Sequence, residues 1–271
     1  MGTRLRITAV PAGLTHVHGV IVQCTACPRL RSYGERIGRE KKRAYRDDVY
    51  WAKPVPGFGD PRARLLIVGL APAAHGANRT GRVFTGDGIG GSGDFLMSAL
   101  HRTGFANQPT SHHRDDGLHL TDAYIAAAVR CAPPDNTPTP EEIRRCLPHL
   151  AAEVAQLPRV RVVVALGGIG FSAWLRLAAA HGVIVRPRPA FGHGVVCDLG
   201  PGEPLLIGCF HPSRQNTNTG RLTAPMMEEV FELAKQLIQE GESSGASRAR
   251  PATRRAPASS TGRPRTRARR A

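Results

Sequence analysis

Residues 65–87 read LLIVGLAPAAHGANRTGRVFTGD. The stretch opens on a short apolar run, Leu65 to Val68, of the kind expected for a strand buried on both faces. It then breaks into Gly, Ala and Pro, and closes on an aromatic, Phe84, followed by Gly86 and Asp87. A buried strand that opens into small residues lets the backbone approach a ligand closely. Open α/β proteins place their sites in such loops, at the carboxyl ends of the sheet strands.

The same pattern recurs along the chain. Residues 64–70, 123–130, 161–166 and 205–210 are predicted strands, the clearest being RVVVAL at 161–166. Residues 183–185 and 195–197 suit short strands or a hairpin. Between the strands, Asp94 is placed to cap a helix running to about residue 103. Thr139-Pro140-Glu141-Glu142 has the chemistry of a helix start, with an N-cap hydroxyl, Pro at the first position and acids in the first turn. That helix is expected to reach about residue 156. Further helices follow Gly167-Gly168 and cover 223–240. Strands alternating with helices predict an α/β protein with a parallel sheet covered on both faces. Residues 1–60 read as irregular, except for the basic RIGREKKRAYR at 36–46, which has helical composition, and 51–60 read as loop.

The 271 residues, 41% hydrophobic, are enough for one substantial core. No apolar run of about 18 residues exists, so no membrane span is expected. The N-terminus shows no signal-peptide pattern, which predicts a cytoplasmic protein. Formal net charge is +16, which points to an anionic partner, most often nucleic acid. From residue 241 onward there are nine arginines against one acid, giving that segment +8 and leaving +8 on the rest. Ser, Gly, Pro, Ala and Arg dominate there. The expected organisation is a single domain over 1–240 and a basic disordered tail over 241–271.

Three further sites carry chemistry. Cys24 and Cys27 form a CxxC pair, and Cys131 and Cys146 a second pair 15 positions apart. Reduced thiols in two local pairs suit tetrahedral zinc or a [4Fe–4S] cluster, and the spacing alone leans slightly to zinc. Buried free cysteines are the plain alternative, and the expected state of Cys197 and Cys209. His16 and His18 are competing zinc ligands. Next, Phe210-His211-Pro212-Ser213 follows the last strand, with His211 placed to donate a hydrogen bond into a cleft. The polar run RQNTNTGR at 214–221 suits a loop along a phosphate backbone. Finally, GIGFSA at 168–173 has a dinucleotide-like spacing, but no acid lies about 20 residues on; close helix packing is the expectation. His112, His113 and His119 read as solvated surface.

With these pieces in order, the chain resembles the family-5, or type-b, uracil-DNA glycosylases of bacteria and archaea. GLAPAAHGANRTGRVFTGD is similar to their first motif and CFHPSRQNTNTG to their second. The cysteines at 24, 27, 131 and 146 match the iron–sulfur ligand spacing of the family-4 and family-5 enzymes. The resemblance spans roughly residues 20–240. It implies a three-layer α/β/α sandwich around a central four-stranded parallel sheet. It also implies a [4Fe–4S] cluster on those four cysteines, without a redox step, in place of zinc. The implied activity is monofunctional: uracil and other deaminated bases are cut from DNA, leaving an abasic site.

The resemblance also assigns parts. His211 would stabilise the leaving base and Phe84 would stack on it. Leu70, Ala71 and Ala73 would shape the pocket, with His75 lining it. Where related enzymes carry an Asn that reads the uracil edge, this chain has Ala127, which predicts relaxed specificity. The water-activating acid usual after the first strand is missing, so Asp87 is the acid left for catalysis. Ser213, Arg214, Gln215 and Arg221 would contact DNA, Gln215 filling the vacated stack; Arg79 and Arg82 would reach phosphate. The expected protein is a monomer acting on DNA in the cytoplasm, associated with the nucleoid. Two rival readings stand beside it: an inactive Fe–S nucleic-acid-binding protein of the same fold, and a zinc-binding nucleotide enzyme.

Overall fold

A computed structural model of the chain describes residues 12–248. Six strands form one sheet: β1 (Phe58–Gly59), β2 (Leu65–Gly69), β3 (Ala123–Ala127), β4 (Val162–Leu166), β5 (Val196–Cys197) and β6 (Leu205–Cys209), in the order β1-β3-β2-β4-β6-β5. The four inner strands are parallel, and two-residue antiparallel strands border them. The predicted central four-stranded sheet is therefore present. The region near 195 supplies an edge strand, while 183–185 forms none.

Alternate residues of a strand face opposite sides of a sheet, and here both sides are buried. Leu65, Ile67, Ile125, Val162, Val164 and Ile207 enter one core with Leu96, Met97, Leu100, Val230 and Phe231. Those last five lie on α4 (Ser92–Arg102), which follows the one-turn α3 (Ala77–Thr80), and on α8 (Ala224–Arg248). Leu66, Val68, Tyr124, Ala126, Val163 and Leu206 enter the other core. It is covered by α1 (Ala12–Val22), α5 (Pro140–Val154) and α6 (Gly167–Ala180). The result is a three-layer α/β/α sandwich.

Several boundaries differ from the sequence reading. Two helices occupy the region expected to be irregular, α1 and α2 (Pro28–Glu40). Neither shows a long apolar period, because α1 buries only Leu14 and Ile21 and α2 only Leu30 and Gly34. Asp94 is not a cap: Gly91 is, and Asp94 lies in the first turn of α4, where its carboxylate accepts from Gly90 N and Ser111 N. The capping box of Thr139 and Glu142 is present on α5. Helix α8 runs through Arg248, past the point where the tail was expected to begin. The tail from 249 to 271, like residues 1–11, lies outside the described residues.

Behind the sheet sits a charged group that the sequence did not reveal. Arg130 and Glu153 form an ion pair at 2.6 Å, with side chains 1% and 0% exposed. Glu153 also accepts from Gly57 N at 2.7 Å and from the Tyr124 hydroxyl at 3.3 Å. His18 of α1 lies 2.8 Å from that hydroxyl through Nε2, so it joins this group and stands apart from the cysteines. Removing one partner of such a buried pair would strand the other charge, at a cost of roughly 3–5 kcal/mol. Arg130 immediately precedes Cys131, and its backbone N donates to Cys146 Sγ at 3.2 Å. The pair thereby fixes the chain end of β3 against α5.

Candidate active site

The carboxyl ends of β2, β3 and β6 open into a cleft of about 700 Å³, within the usual range of small-molecule sites, roughly 300–1,000 Å³. Its lining includes Leu70, Ala71, Ala73, His75, Phe84, Asp87, Ala127, His211, Ser213, Arg214 and Gln215. Residues far apart in the chain meet here because parallel strands deliver all their following loops to one edge of the sheet.

Phe84 stands on the end of β2 in a left-handed conformation, φ 49°. That conformation is strained for a bulky residue and persists only where its surroundings impose it. A Cβ added at Gly69 would lie 2.7 Å from the Phe84 ring, so the bare glycine is what lets the ring stand there. Ring centroids of Phe84 and His211 are 6.0 Å apart, tilted by 31°.

His211 follows β6 and is fixed through its backbone. Its carbonyl accepts from Asn216 Nδ2 at 2.9 Å and from Ser213 N at 2.8 Å. The preceding Phe210 N donates to His193 Nδ1 at 3.1 Å, and His193 Nε2 in turn lies 3.2 Å from the Met226 carbonyl. Burial pushes the His211 imidazole down to about 4. At neutral pH it is uncharged, with one ring N–H left to donate.

Asp87 is the acid that lines the cleft among the described residues. Burial raises its carboxyl to about 6, against the opposing pull of the Gly93 backbone N–H, Arg214 and Arg79. Its Oδ1 has no hydrogen-bond partner among the described residues. A Cβ at Gly76 would fall on that oxygen; glycine is needed there for the carboxylate to fit.

The second motif is more regular than a loop. Residues Arg214–Asn218 form α7, and the Ser213 hydroxyl caps it by accepting from Asn216 N at 3.3 Å. Ser213, Arg214 and Gln215 sit on the rim; Arg214 Nη2 lies 3.5 Å from the Asp87 carbonyl. Arg221 stands with its guanidinium 4.8 Å over the Phe210 ring and is not among the cleft-lining residues.

Arg79 and Arg82, expected to reach phosphate, are buried, at 6% and 4% exposure. Arg79 pairs with Asp48 at 2.5 Å, donates to the Gly86 carbonyl and lies over the Tyr45 ring at 3.9 Å. Arg82 pairs with Asp116 at 2.8 Å and donates to Thr85 and Ser111. Both act as internal ties that hold the first motif. A buried arginine paired across the fold looks the same in sequence as a surface one.

The structure adds members that the sequence reading passed over. Lys42 and Tyr45 reach the cleft from the chain following α2, and Tyr50 OH lies 2.9 Å from Nδ1 of the cleft-lining His75. Asn136 also lines the cleft, and it and Asp135 are both left-handed, at φ 54° and 52°. The signal for it was Pro-Pro-Asp-Asn after the third strand, because Asp and Asn tolerate that conformation.

Cys24, Cys27, Cys131 and Cys146 line one small recess together with Leu30, Val129, Arg31, Arg145 and His149. Arg29–Glu142 and Arg145 to the Ala26 carbonyl tie α2 and α5 together around it. Burial raises the thiols of Cys131 and Cys146 to about 12 and about 11, and their neighbouring cysteines add to the rise. No group of three or more His, Cys, Asp or Glu placed to hold a metal ion is found among the described residues. Ala71 packs against this recess and also lines the cleft, so the two are adjacent. Cys197 and Cys209 are buried core residues.

The chain belongs to the uracil DNA glycosylase superfamily: the family profile of that description matches residues 56–235. Within it, the chain is similar to enzymes called type-5 uracil-DNA glycosylase. It is 52% identical to that of Mycobacterium bovis over 225 residues, 83% of this chain and 81% of the relative. It is 51% identical to that of Thermus thermophilus over 218 residues, 80% and 94% of the two chains. It is 44% identical to that of Pyrobaculum aerophilum over 214 residues, 79% and 88%. No helix among the described residues is long and apolar enough to cross a membrane.

Proposed function

We propose that this protein is a DNA-repair N-glycosylase that removes uracil from DNA. The observation that carries the reading is the convergence of Phe84, Asp87 and His211 on one cleft at the strand ends. A base flipped out of the duplex would enter this cleft and lie on the Phe84 ring. As the bond between C1′ and the base nitrogen breaks, positive charge builds on the sugar and negative charge on the base. Neutral His211 donates to the developing anion, while ionised Asp87 faces the cationic sugar. Water adds at C1′ as the C1′–N bond is lost, its oxygen staying on the sugar and its proton passing to the departing base anion, so the products are the neutral free base and an abasic site. The inactive alternative finds no support in the relatives' names, and the acid and imidazole such chemistry needs share the cleft.

Ala127 ends β3 beside Gly69 and offers the base no amide. A pocket built to hydrogen-bond one base edge rejects others by leaving buried polar groups unpaired, and its loss relaxes that rejection. We infer that deaminated purines such as hypoxanthine are also accepted. In a panel of oligonucleotides bearing uracil, hypoxanthine or xanthine, cut with alkali after reaction, strand breaks are expected at uracil and at a purine lesion. Ala127→Asn is expected to narrow the panel by about tenfold or more in favour of uracil. Refusal of every substrate but uracil by the wild type would remove the specificity argument, and refusal of uracil the function itself.

The four thiols fit a [4Fe–4S] cluster in donor chemistry: two local pairs, one recess, and a backbone N–H already aimed at Cys146 Sγ. Bound there, the cluster would supply a cross-link and no electron, joining α2, the end of β3 and α5 behind the cleft wall. Protein prepared without air is expected to contain iron and sulfide in equal amounts and to lose both on Cys131→Ser. Zinc in a colourless preparation would overturn the assignment. The formal net charge of +16 supports nucleic acid as the partner, and we infer a monomer working in the cytoplasm at the nucleoid.

A further inference from the structure

Directly after Asp87, the chain makes a tight turn that nothing in the fold requires to be apolar. Gly91 N donates to the Gly88 carbonyl at 2.9 Å, and Gly90 N is held by Asp94 Oδ2 at 3.3 Å. Gly88 and Gly90 are both left-handed, at φ 85° and 68°. At the tip between them is Ile89, 92% exposed. Turn tips favour Asn, Asp, Gly and Ser; a β-branched aliphatic there contributes nothing to the core and presents bare hydrocarbon to water.

The turn stands at the mouth of the cleft. A Cβ on Gly88 would lie 3.5 Å from the Tyr45 hydroxyl and 3.7 Å from Arg214 Nη2, and Gly91 and Ser92 line the cleft wall. Arg214 and Lys42 put positive charge on the same rim, suited to the phosphates beside a flipped nucleotide.

We propose that Ile89 is the wedge that enters the duplex at the position vacated by the flipped base. The proposal rests on the glycosylase reading. Withdrawing a nucleotide leaves a gap in the stack, and proteins that open base steps commonly fill them with Ile, Leu, Met or Phe. Ile89 is the residue of that chemistry at the mouth, two positions from the acid that would face the sugar. Gln215 shares the rim, but its side chain is polar.

The test compares single-turnover cleavage of uracil in a stable duplex and in a single strand. Ile89→Ala is expected to slow the duplex reaction by about tenfold or more, because only the duplex must be opened. Cleavage of the single strand should stay within about twofold, since the chemistry is untouched. Ile89→Leu should restore the duplex rate. The fluorescence rise of 2-aminopurine next to the lesion, which reports unstacking, should weaken in Ile89→Ala alone. Val49→Ala, at another 93% exposed aliphatic, serves as the control and should change neither rate. An unchanged duplex rate in Ile89→Ala, or equal loss on both substrates, overturns the proposal. So does a selective duplex loss found in Gln215→Ala and absent from Ile89→Ala. A wild type inactive on both substrates overturns the glycosylase reading itself, and the wedge with it.

Discussion

His211→Ala is expected to lower the single-turnover rate of uracil release by about 10²–10³-fold, the usual cost of removing one donor aimed at a developing anion. Binding of uracil-containing DNA should change little, because the bond strengthens only as charge reaches the base. The size of the effect follows from the environment. A neutral imidazole, held near pKa 4 by burial, donates without carrying a charge that would have to be desolvated. Its backbone is held from Ser213, Asn216 and the neighbouring Phe210, so the ring is aimed before substrate arrives. These contacts do not involve the ring, so the variant should melt as the wild type does. His211→Asn keeps a donor and should recover part of the rate. A variant that loses affinity and rate in equal measure would assign His211 to ground-state binding.

Asp87→Asn carries the second large effect, and its two consequences have opposite signs. Activity is expected to fall by about 10²–10³-fold, since an amide cannot face the cationic sugar with charge. Stability is expected to rise. The folded carboxyl titrates at about 6 against an ordinary value of 3.8. Between those values the folded state therefore binds more protons than the unfolded state. Stability then falls as pH rises through that window and stays reduced above about 6. At about 1.4 kcal/mol per pH unit, the wild type gives up as much as about 3 kcal/mol at pH 8 by burying this charge. The variant avoids that loss. Chemical denaturation of both at pH 8 and at pH 4 should show the variant ahead at pH 8 and the gap closing at pH 4. Equal stability at both pH values would mean that Asp87 is solvated, and that its unpartnered Oδ1 is not the sign of a functional carboxylate. A charge kept at a cost to the fold is common where catalysis needs it.

The parallel sheet was legible because its strands are short, wholly apolar runs; LLIV at 65–68 and VVVAL at 162–166 admit few other readings. The His211 placement was legible for a related reason: it follows a strand, and parallel strands send such loops to one edge; Asp87, beyond the helical turn Ala77–Thr80, was legible only through the motif that it ends. Long-range pairing was not legible. Nothing local distinguishes Arg79, tied to Asp48, or Arg130, tied to Glu153, from arginines in water. Helix α1 escaped because it buries only Leu14 and Ile21, too few to set a period. Asn136 and Lys42 escaped because the fold brings them to the cleft from segments without motif chemistry. Ile89 was not legible inside its glycine-rich turn, since exposure is a property of the fold and not of the residue.

In the proposed mechanism an ionised, buried Asp87 and a neutral His211 together drive base release. The pH dependence of the single-turnover rate on uracil-containing DNA tests it most directly. For the wild type, the rate should rise about tenfold per pH unit up to an apparent pKa near 6, then hold level to about pH 9, with no second limb from the already neutral His211. In Asp87→Asn the rise should vanish, leaving a low, flat profile. A wild-type rate that is flat between about pH 5 and 8, or a rise that survives in Asp87→Asn, would contradict the account.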